Sequence, residues 1–279
     1  MAELGRTNRL VIVRDSDHGF YLDGEELGEI LLPTREVPED VEQGDEVEVF
    51  LMRDSEDRLI ATSQKPRCEV GDFAALEVKS VHPKVGAFLD WGMPKDLLLP
   101  FREQLGRIKE GQLVIVRVLL DKVSDRIVAT ARTNRFLNQT FPPYGIGEEV
   151  SLIVQERTPL GYLAIVNQRH RGLLHESHLR HPLQIGEEMS GYIAKVKEDG
   201  KIDLSLDPVG YGRVTNLSDR ILEELQQAGG ELGIGDKSSP EEIRDRFDTS
   251  KKAFKQALGA LYRDRKIVLE PNRISLVDE

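Results

Sequence analysis

The sequence is poor in several features that would place a protein in a specialised class. One cysteine, Cys68, occurs in 279 residues, so an internal disulfide is impossible and a metal site built from cysteines is excluded. No apolar run approaches the roughly 20 residues that would span a bilayer. The N-terminus also lacks the basic and apolar stretches of a secretion signal. We therefore expect a cytoplasmic protein with no membrane partner.

Positive charge is scarce as well, since 49 acidic residues against 38 basic ones give a net charge of −11. This balance argues against a nucleic-acid partner, which is bound largely through Lys and Arg. The deficit is local, however. Residues 1–66 carry 7 basic and 17 acidic side chains, whereas residues 67–140 carry 12 and 9. Residues 141–210 carry 7 and 10, and residues 211–279 carry 12 and 13. Only the first quarter is strongly acidic, and the second is basic.

An internal repeat is present, and such a repeat fixes the architecture. Gly19, Gly86 and Gly161 each precede an apolar segment that contains an aromatic residue. In each copy a second glycine opens an apolar strand further along: Gly44, Gly111 and Gly186. Each copy closes on a similar short strand: 58–62, 126–130 and 201–205. The sequence therefore predicts three copies of one fold.

Each copy contains about five short runs of strand character, separated by Gly, Asp and Pro. Alternation of apolar and polar residues is clearest at Val47, Val49 and Leu51. Five strands in roughly 65 residues suit a small closed barrel, which removes its own exposed edges. The pattern favours an OB-type barrel, and a barrel of the SH3-like type satisfies the strand count equally well.

From about Asn216 onward, the sequence shows the capping signals of helices. Ser218 is predicted to cap a first helix that Gly229 ends, and Ser239 opens a capping box that continues through Pro240 to Glu242. A third helix is predicted to run to about Arg263. Two apolar runs then flank a Glu-Pro-Asn turn and predict a hairpin. Three helices and a terminal hairpin indicate a winged helix. The predicted fold is mainly β, with domains at 1–66, 67–140, 141–213 and 214–279.

One segment of the third copy resembles a known module. Gly172–Ser177 is similar to the Gly-Leu-x-His-x-Ser signature of the S1 type of RNA-binding OB module. The complete order of three such modules and a winged helix, with Lys237–Pro240 and Ser250–Lys255 in the last domain, resembles the bacterial conserved virulence factor B family. The resemblance covers nearly the whole chain. It implies RNA binding, a role in regulating gene expression and no catalytic activity. Single-stranded RNA is the expected partner, because its bases can stack on exposed rings.

The S1 resemblance also implies positions for the ligand contacts. It places stacking aromatics on the second strand of a module, where Tyr21 and Phe88 fall, and a histidine at the end of the third strand, where His175 falls. Leu163 replaces the aromatic in the third copy, and we expect Tyr162 beside it to substitute. Basic residues near these positions complete the predicted RNA contacts of the barrels: Lys84, Lys95, Arg102, Arg169, His170 and Arg171.

The first copy is too acidic for phosphate, so we expect it to act as a spacer or to contact a protein. In the winged helix, a basic set is predicted to make secondary RNA contacts: Lys251, Lys252, Lys255, Arg263, Arg265, Lys266 and Arg273. The alternative is a transcriptional regulator or an adaptor, in which the winged helix contacts duplex DNA or a protein. A third possibility is an accessory subunit of a nuclease.

Catalytic and cofactor chemistry have no support in the residue spacing. His175, His178 and His181 form a spaced trio, yet no carboxylate or cysteine joins them in a known zinc spacing. No nucleophile, base and orienting group can be located together. We therefore expect a binding protein without a metal, a cofactor or an enzymatic activity.

Overall fold

The computed structural model of the protein describes residues 1–121, 124–179, 181–208, 211–247 and 249–277. Three closed five-stranded barrels are followed by a domain of helices and a small sheet. The strands of the first barrel are β1 (Thr7–Arg14), β2 (Gly19–Asp23), β3 (Glu29–Pro33), β4 (Glu46–Arg53) and β5 (Leu59–Thr62). Those of the second are β6 (Phe73–His82), β7 (Gly86–Asp90), β8 (Leu97–Pro100), β9 (Leu113–Leu120) and β10 (Ile127–Thr130). Those of the third are β11 (Glu149–Thr158), β12 (Gly161–Val166), β13 (His170–His175), β14 (Glu188–Val196) and β15 (Ile202–Ser205).

The three barrels share one strand topology. In each, the first strand pairs antiparallel with the second and the fourth, and the third pairs parallel with the fifth. This closed order is that of the OB-fold. The prediction of a mainly β protein with three OB barrels is confirmed, and the SH3-like alternative is set aside.

The glycine that begins the second strand of each barrel explains the repeat. Gly19, Gly86 and Gly161 have φ of 129°, 140° and 141°, a region that L side chains rarely adopt. A Cβ at any of them would also collide with the carbonyl oxygen of a leucine on the neighbouring third strand. The hairpin closes only without a side chain at this position, which is why glycine recurs there.

Neighbouring barrels pack against each other through apolar and polar contacts. Phe50 of the first barrel is 1% exposed and belongs to the core cluster of the second barrel. A separate apolar cluster joins the second barrel to the third, and includes Phe73, Ile115 and Ile165. The Gln168 side-chain amide pairs with both the N–H (2.6 Å) and the carbonyl (3.0 Å) of Phe73. These contacts fix the barrels relative to one another.

The last domain is a winged helix, as predicted. It contains α1 (Tyr211–Gln227), β16 (Glu231–Leu232), α2 (Pro240–Phe247), α3 (Lys251–Arg263), β17 (Ile267–Glu270) and β18 (Arg273–Leu276). The capping box forms, because the Ser239 N–H donates to the Glu242 carboxylate (2.8 Å) and the Glu242 N–H donates to Ser239 Oγ (3.1 Å). Ser250 caps α3 by accepting from the Ala253 N–H (3.3 Å).

The start of α1 was predicted wrongly. The helix begins at Tyr211, so Ser218 lies inside it instead of capping it, and a domain boundary after residue 213 falls within the helix. Ser218 is buried, and its hydroxyl donates to the Ala257 carbonyl on α3 at 3.4 Å. A serine can occupy a helix interior when its hydroxyl has such a partner, and the sequence does not distinguish this position from a cap.

Candidate functional site

The outward faces of the second and third strands form equivalent surfaces in the three barrels. Tyr21, Phe88 and Leu163 each stand two residues after the repeat glycine and are half-buried on the outer side. The register places Phe88 opposite Leu98 and Leu163 opposite Leu173. Because side chains alternate along a strand, the residue just before each of them faces the barrel interior.

A groove of about 540 Å³ runs over this surface in the second barrel. Phe88, Leu98 and Val128 line it, and Lys95 and Arg126 are exposed cations at its edge. The groove can take a flat apolar group against the Phe88 ring and an anion beside the two cations. Its opposite wall is contributed by the first barrel.

The equivalent surface of the third barrel carries a groove of about 640 Å³. Leu163, Leu173 and Arg171 line it from β12 and β13. Lys197 and Lys201 reach it from the β14–β15 connection. The segment before β11 adds one aromatic ring, Phe141, which is 64% exposed. One ring, three cations and two carboxylates therefore surround this groove, and the carboxylates of Asp199 and Asp203 pair with Lys201 and Lys197.

His175 lies at the end of β13 beside this groove. Its Nε2 is 3.4 Å from the Asp203 carboxylate, which also accepts from Lys197 Nζ at 2.8 Å. Partial burial acts to raise the pKa of Asp203, but the hydrogen bonds from Lys197 and His175 outweigh it and hold that pKa below its ordinary value. The carboxylate is thus ionised at neutral pH and holds both side chains at the groove.

Two predicted contacts of the third barrel are wrong. Tyr162 is 2% exposed and packs in the barrel core, where alternation along β12 places it. It cannot substitute for the missing aromatic at Leu163. His170 is 1% exposed and bonded within the protein, with Nδ1 2.9 Å from the Tyr144 hydroxyl and Nε2 3.0 Å from the Thr140 carbonyl. Neither side chain can reach a ligand at the surface.

The first barrel covers its own aromatic. The Arg14 guanidinium lies 3.6 Å from the centre of the Tyr21 ring and is bonded to Glu29 at 2.7 Å. This stacked arginine occupies the ring face that a base would need. Tyr21 is therefore less accessible for stacking than Phe88.

The remaining predicted cations of the barrels are spread over several surfaces. Lys84 is exposed between β6 and β7, and Arg169 is exposed between β12 and β13. Arg102 is exposed after β8 but is engaged by Asp121 at 2.8 Å. Arg171 is half-buried and donates to the Asn134 side chain at 3.1 Å. The structure brings Lys95 and Arg171 to the two grooves, and it leaves Lys84, Arg102 and Arg169 out of the groove linings.

In the winged helix, the predicted basic residues are divided between solvent and internal ion pairs. Lys252 on α3 is exposed, whereas Lys255 is 3.6 Å from Asp236 and Lys251 Nζ donates to the Lys237 carbonyl. Three further cations are exposed near the end of α3: Arg263, Arg265 and Lys266. Arg273 is bonded to Glu270 at 3.0 Å and to Glu231 at 3.1 Å, and these bonds raise the pKa of its guanidinium. The charge available on this face is smaller than the residue count predicts.

Several groove residues were not predicted. Arg126 directly precedes β10 of the second barrel. Lys197 and Lys201 lie in the connection between β14 and β15 of the third barrel. Their position in the loops and strands next to the second-strand face of an OB barrel was the available signal. Phe141 lies between the second and third copies of the repeat, where nothing in the periodicity marks it.

Two further features are absent from the described residues. None of the helices there combines the length and the apolarity needed to cross a membrane. In the same residues, no three His, Cys, Asp or Glu side chains are grouped so as to hold a metal ion.

Comparison with known proteins shows what the chain is similar to. Residues 4–64 match the S1 domain family, and residues 219–276 match the CvfB-like winged helix domain. The Bacillus subtilis protein YitL is 31% identical over 275 residues, which cover 95% of this chain and 91% of YitL. Conserved virulence factor B of Staphylococcus saprophyticus is 25% identical over 287 residues, 99% of this chain and 95% of that protein. A crystal structure of a multidomain protein with nucleic acid binding domains from Streptococcus pneumoniae matches 98% of each chain at 24% identity, with a TM-score of 0.42. The chain belongs to the conserved virulence factor B family.

Proposed function

We propose that this protein binds single-stranded RNA through the grooves of its second and third barrels and thereby regulates gene expression, without catalysing a reaction. The observation that carries the proposal is the half-buried Phe88 ring in a groove edged by Lys95 and Arg126. Bases of single strands are held by stacking on such rings, at about 1–3 kcal/mol per base, while cations hold the phosphates. The first barrel matches the S1 domain family and the other two share its strand topology, which supports the same class of ligand.

The grooves are large enough for an unstacked base. Each encloses about 540 to 640 Å³, and a base can enter such a site only when it is splayed out of a helix. The third barrel supplies a second ring, Phe141, beside Arg171 and Lys197. Both sites lie in one chain, so an RNA strand long enough to span them would bind more tightly than at either site alone.

A filter-binding titration of the full chain tests the proposal. Mixed-sequence single-stranded RNA and duplex DNA of equal length are compared at low salt. We expect tighter binding of the RNA. For each phosphate contacted, the logarithm of its association constant should fall by about 0.7 per tenfold rise in salt concentration. Failure of the RNA to bind at low salt would overturn the proposal.

The winged helix is assigned a secondary RNA contact, and duplex-DNA binding is the alternative. A variant in which Lys251, Lys252 and Lys255 are all replaced by glutamate distinguishes the RNA contact from duplex-DNA binding. RNA affinity is expected to fall moderately, because these cations add to the barrel sites. If the affinity for duplex DNA disappears while the affinity for RNA is unchanged, the hypothesis of a transcriptional regulator is favoured instead.

Regulation of gene expression requires that the abundance or stability of the bound RNAs changes when the protein is removed. Transcripts cross-linked to the protein in cells are identified by sequencing, and their abundance and stability are compared in a deletion strain. We expect the cross-linked transcripts to change more than matched unbound ones. Equal behaviour of the two sets would leave RNA binding in place and contradict the regulatory role.

A further inference from the structure

The groove beside Phe88 is built by two barrels and not by one. Met52 and Arg53 at the end of β4 belong to the first barrel, and they line the same cavity as Phe88 and Arg126 of the second. The first barrel carries 7 basic and 17 acidic side chains, so its composition alone would exclude it from a phosphate-binding site. The first barrel nevertheless contributes two residues to the groove lining, at the end of β4 that faces the second barrel.

The wall that the first barrel supplies is held rigidly. Phe50, two residues before Met52, is buried against Trp91 with ring centres 5.8 Å apart in an edge-to-face arrangement. Trp91 in turn donates its indole N–H to the Lys95 carbonyl at 2.7 Å. The aromatic pair therefore couples the position of β4 to the segment that carries Lys95, and the groove exists before any ligand arrives.

Polar contacts across the junction position the cations. Arg53 donates to the Asp57 carbonyl at 2.7 Å and lies 3.7 Å from the Asp125 carboxylate of the second barrel. Arg126 of the second barrel donates Nε–H to the Asp57 carboxylate at 3.0 Å. Each barrel thus orients an arginine of the junction, and both guanidinium groups are kept at the mouth of the groove.

The lining combines an apolar floor with cations whose charge is partly balanced, since Arg53 lies 3.7 Å from Asp125 and Arg126 is bonded to Asp57. Met52, Phe88 and Leu98 supply the floor. The charged residues of the lining are three cations and one carboxylate: Arg53, Lys95, Arg126 and Asp96. Asp96 is engaged by Lys79 at 3.1 Å. An apolar slot bordered by cations complements a flat base with phosphates on either side.

We infer that the junction of the first two barrels is a composite nucleobase site, in which Met52 and Arg53 of the acidic barrel contact the RNA segment stacked on Phe88. The inference rests on the proposed RNA binding and gives the first barrel a direct part in it. It replaces the expectation that this barrel is a spacer. A protein segment seated in the same groove is the competing outcome.

A pair of substitutions at Met52 tests the composite site. Met52→Glu and Met52→Gln introduce side chains of nearly the same size and shape, so the two variants differ chiefly in charge. Affinity for labelled mixed-sequence single-stranded RNA is measured by anisotropy with the full chain. We expect the Glu variant to bind about tenfold more weakly than the Gln variant, because it places an anion beside the phosphates. Equal affinities of two folded variants would overturn the inference.

A measurement on the unmodified chain decides the matter if either variant fails to fold. RNA containing 4-thiouridine is cross-linked to the wild-type protein, and the linked peptides are mapped by mass spectrometry. Cross-links in the peptide that contains Met52 as well as in the peptide that contains Phe88 are expected. Cross-links confined to the second and third barrels overturn the inference and leave the proposed function standing, whereas an absence of RNA binding overturns both. RNA binding without a cross-link at either peptide would also overturn the inference and would leave the groove to the competing occupant, a protein segment.

Discussion

The Tyr144 hydroxyl donates a hydrogen bond to Nδ1 of the buried His170 at 2.9 Å. The direction follows from the other ring nitrogen, since Nε2 lies 3.0 Å from the Thr140 carbonyl, which can only accept. Nε2 therefore carries the proton and Nδ1 is the acceptor. Burial raises the pKa of the Tyr144 phenol, so the hydroxyl keeps its proton. The pair attaches the segment before β11 to the third barrel.

Removing that donor is expected to destabilise the protein. Tyr144→Phe leaves Nδ1 of His170 buried without a partner, which costs about 1–3 kcal/mol in the free energy of unfolding. The measurement is urea denaturation followed by circular dichroism. Tyr262→Phe is the matched control, because Tyr262 is 59% exposed on α3 and should show no loss. Equal stability of the Tyr144 variant and the wild type would contradict the structural role of the pair.

Substitution of the groove ring is expected to affect binding and not stability. Phe88→Ala should weaken RNA binding by about 1–3 kcal/mol, the value of one stacked base. Phe101→Ala is the control, since Phe101 is 47% exposed and lies outside the groove lining. Fluorescence anisotropy at fixed salt measures both. An equal loss in the two variants would show that general exposure of rings, and not the groove, determines affinity.

The opposite pattern is expected at Tyr162, because its ring fills the third barrel. Tyr162→Ala should lower the free energy of unfolding by about 3 kcal/mol or more. RNA affinity measured where the variant is still folded should change little. A large loss of affinity without a loss of stability would restore Tyr162 as a contact.

The repeat glycines provide a test of the fold. Gly86→Ala places a Cβ against the Leu99 carbonyl at a φ of 140°, so we expect a loss of more than about 1 kcal/mol of stability. Gly106→Ala is the matched control, because a Cβ there meets nothing within 4 Å. Thermal unfolding of both variants distinguishes steric collision from a general cost of replacing glycine.

Cys68 gives the protein a predictable response to alkaline pH. Burial raises the pKa of its thiol from 9.0 to about 12. As pH rises, the thiol therefore loses its proton first in the unfolded chain. The thiol's contribution to the free energy of unfolding is fully present below about pH 9 and declines as pH rises toward 12. The decline is about 1.4 kcal/mol per pH unit within that window. Urea denaturation should show a steeper alkaline loss in the wild type than in Cys68→Ala. An equal alkaline loss of stability in the wild type and in Cys68→Ala would contradict this role of the thiol.

The sequence was sufficient to predict the barrels and the winged helix, but it could not show how the barrels meet. Short-range signals, such as the repeat glycines and the Ser239 capping box, act within a few residues and are readable in order. The Phe50–Trp91 and Asp57–Arg126 contacts join residues that are distant in the chain, and no period relates them. Tyr162 was misplaced for a different reason. Its aromatic ring suits a stacking contact, whereas the alternation along β12 directs it inward.

The central claim is that outward-facing rings and cations of the barrels hold a single strand of RNA. The most direct measurement is the affinity of the full wild-type chain for single-stranded RNA and for duplex DNA of the same length, over a range of salt concentrations. We expect RNA to bind more tightly, with an affinity that falls as salt rises. Absence of RNA binding at low salt, or equal binding of the two nucleic acids, would contradict the account.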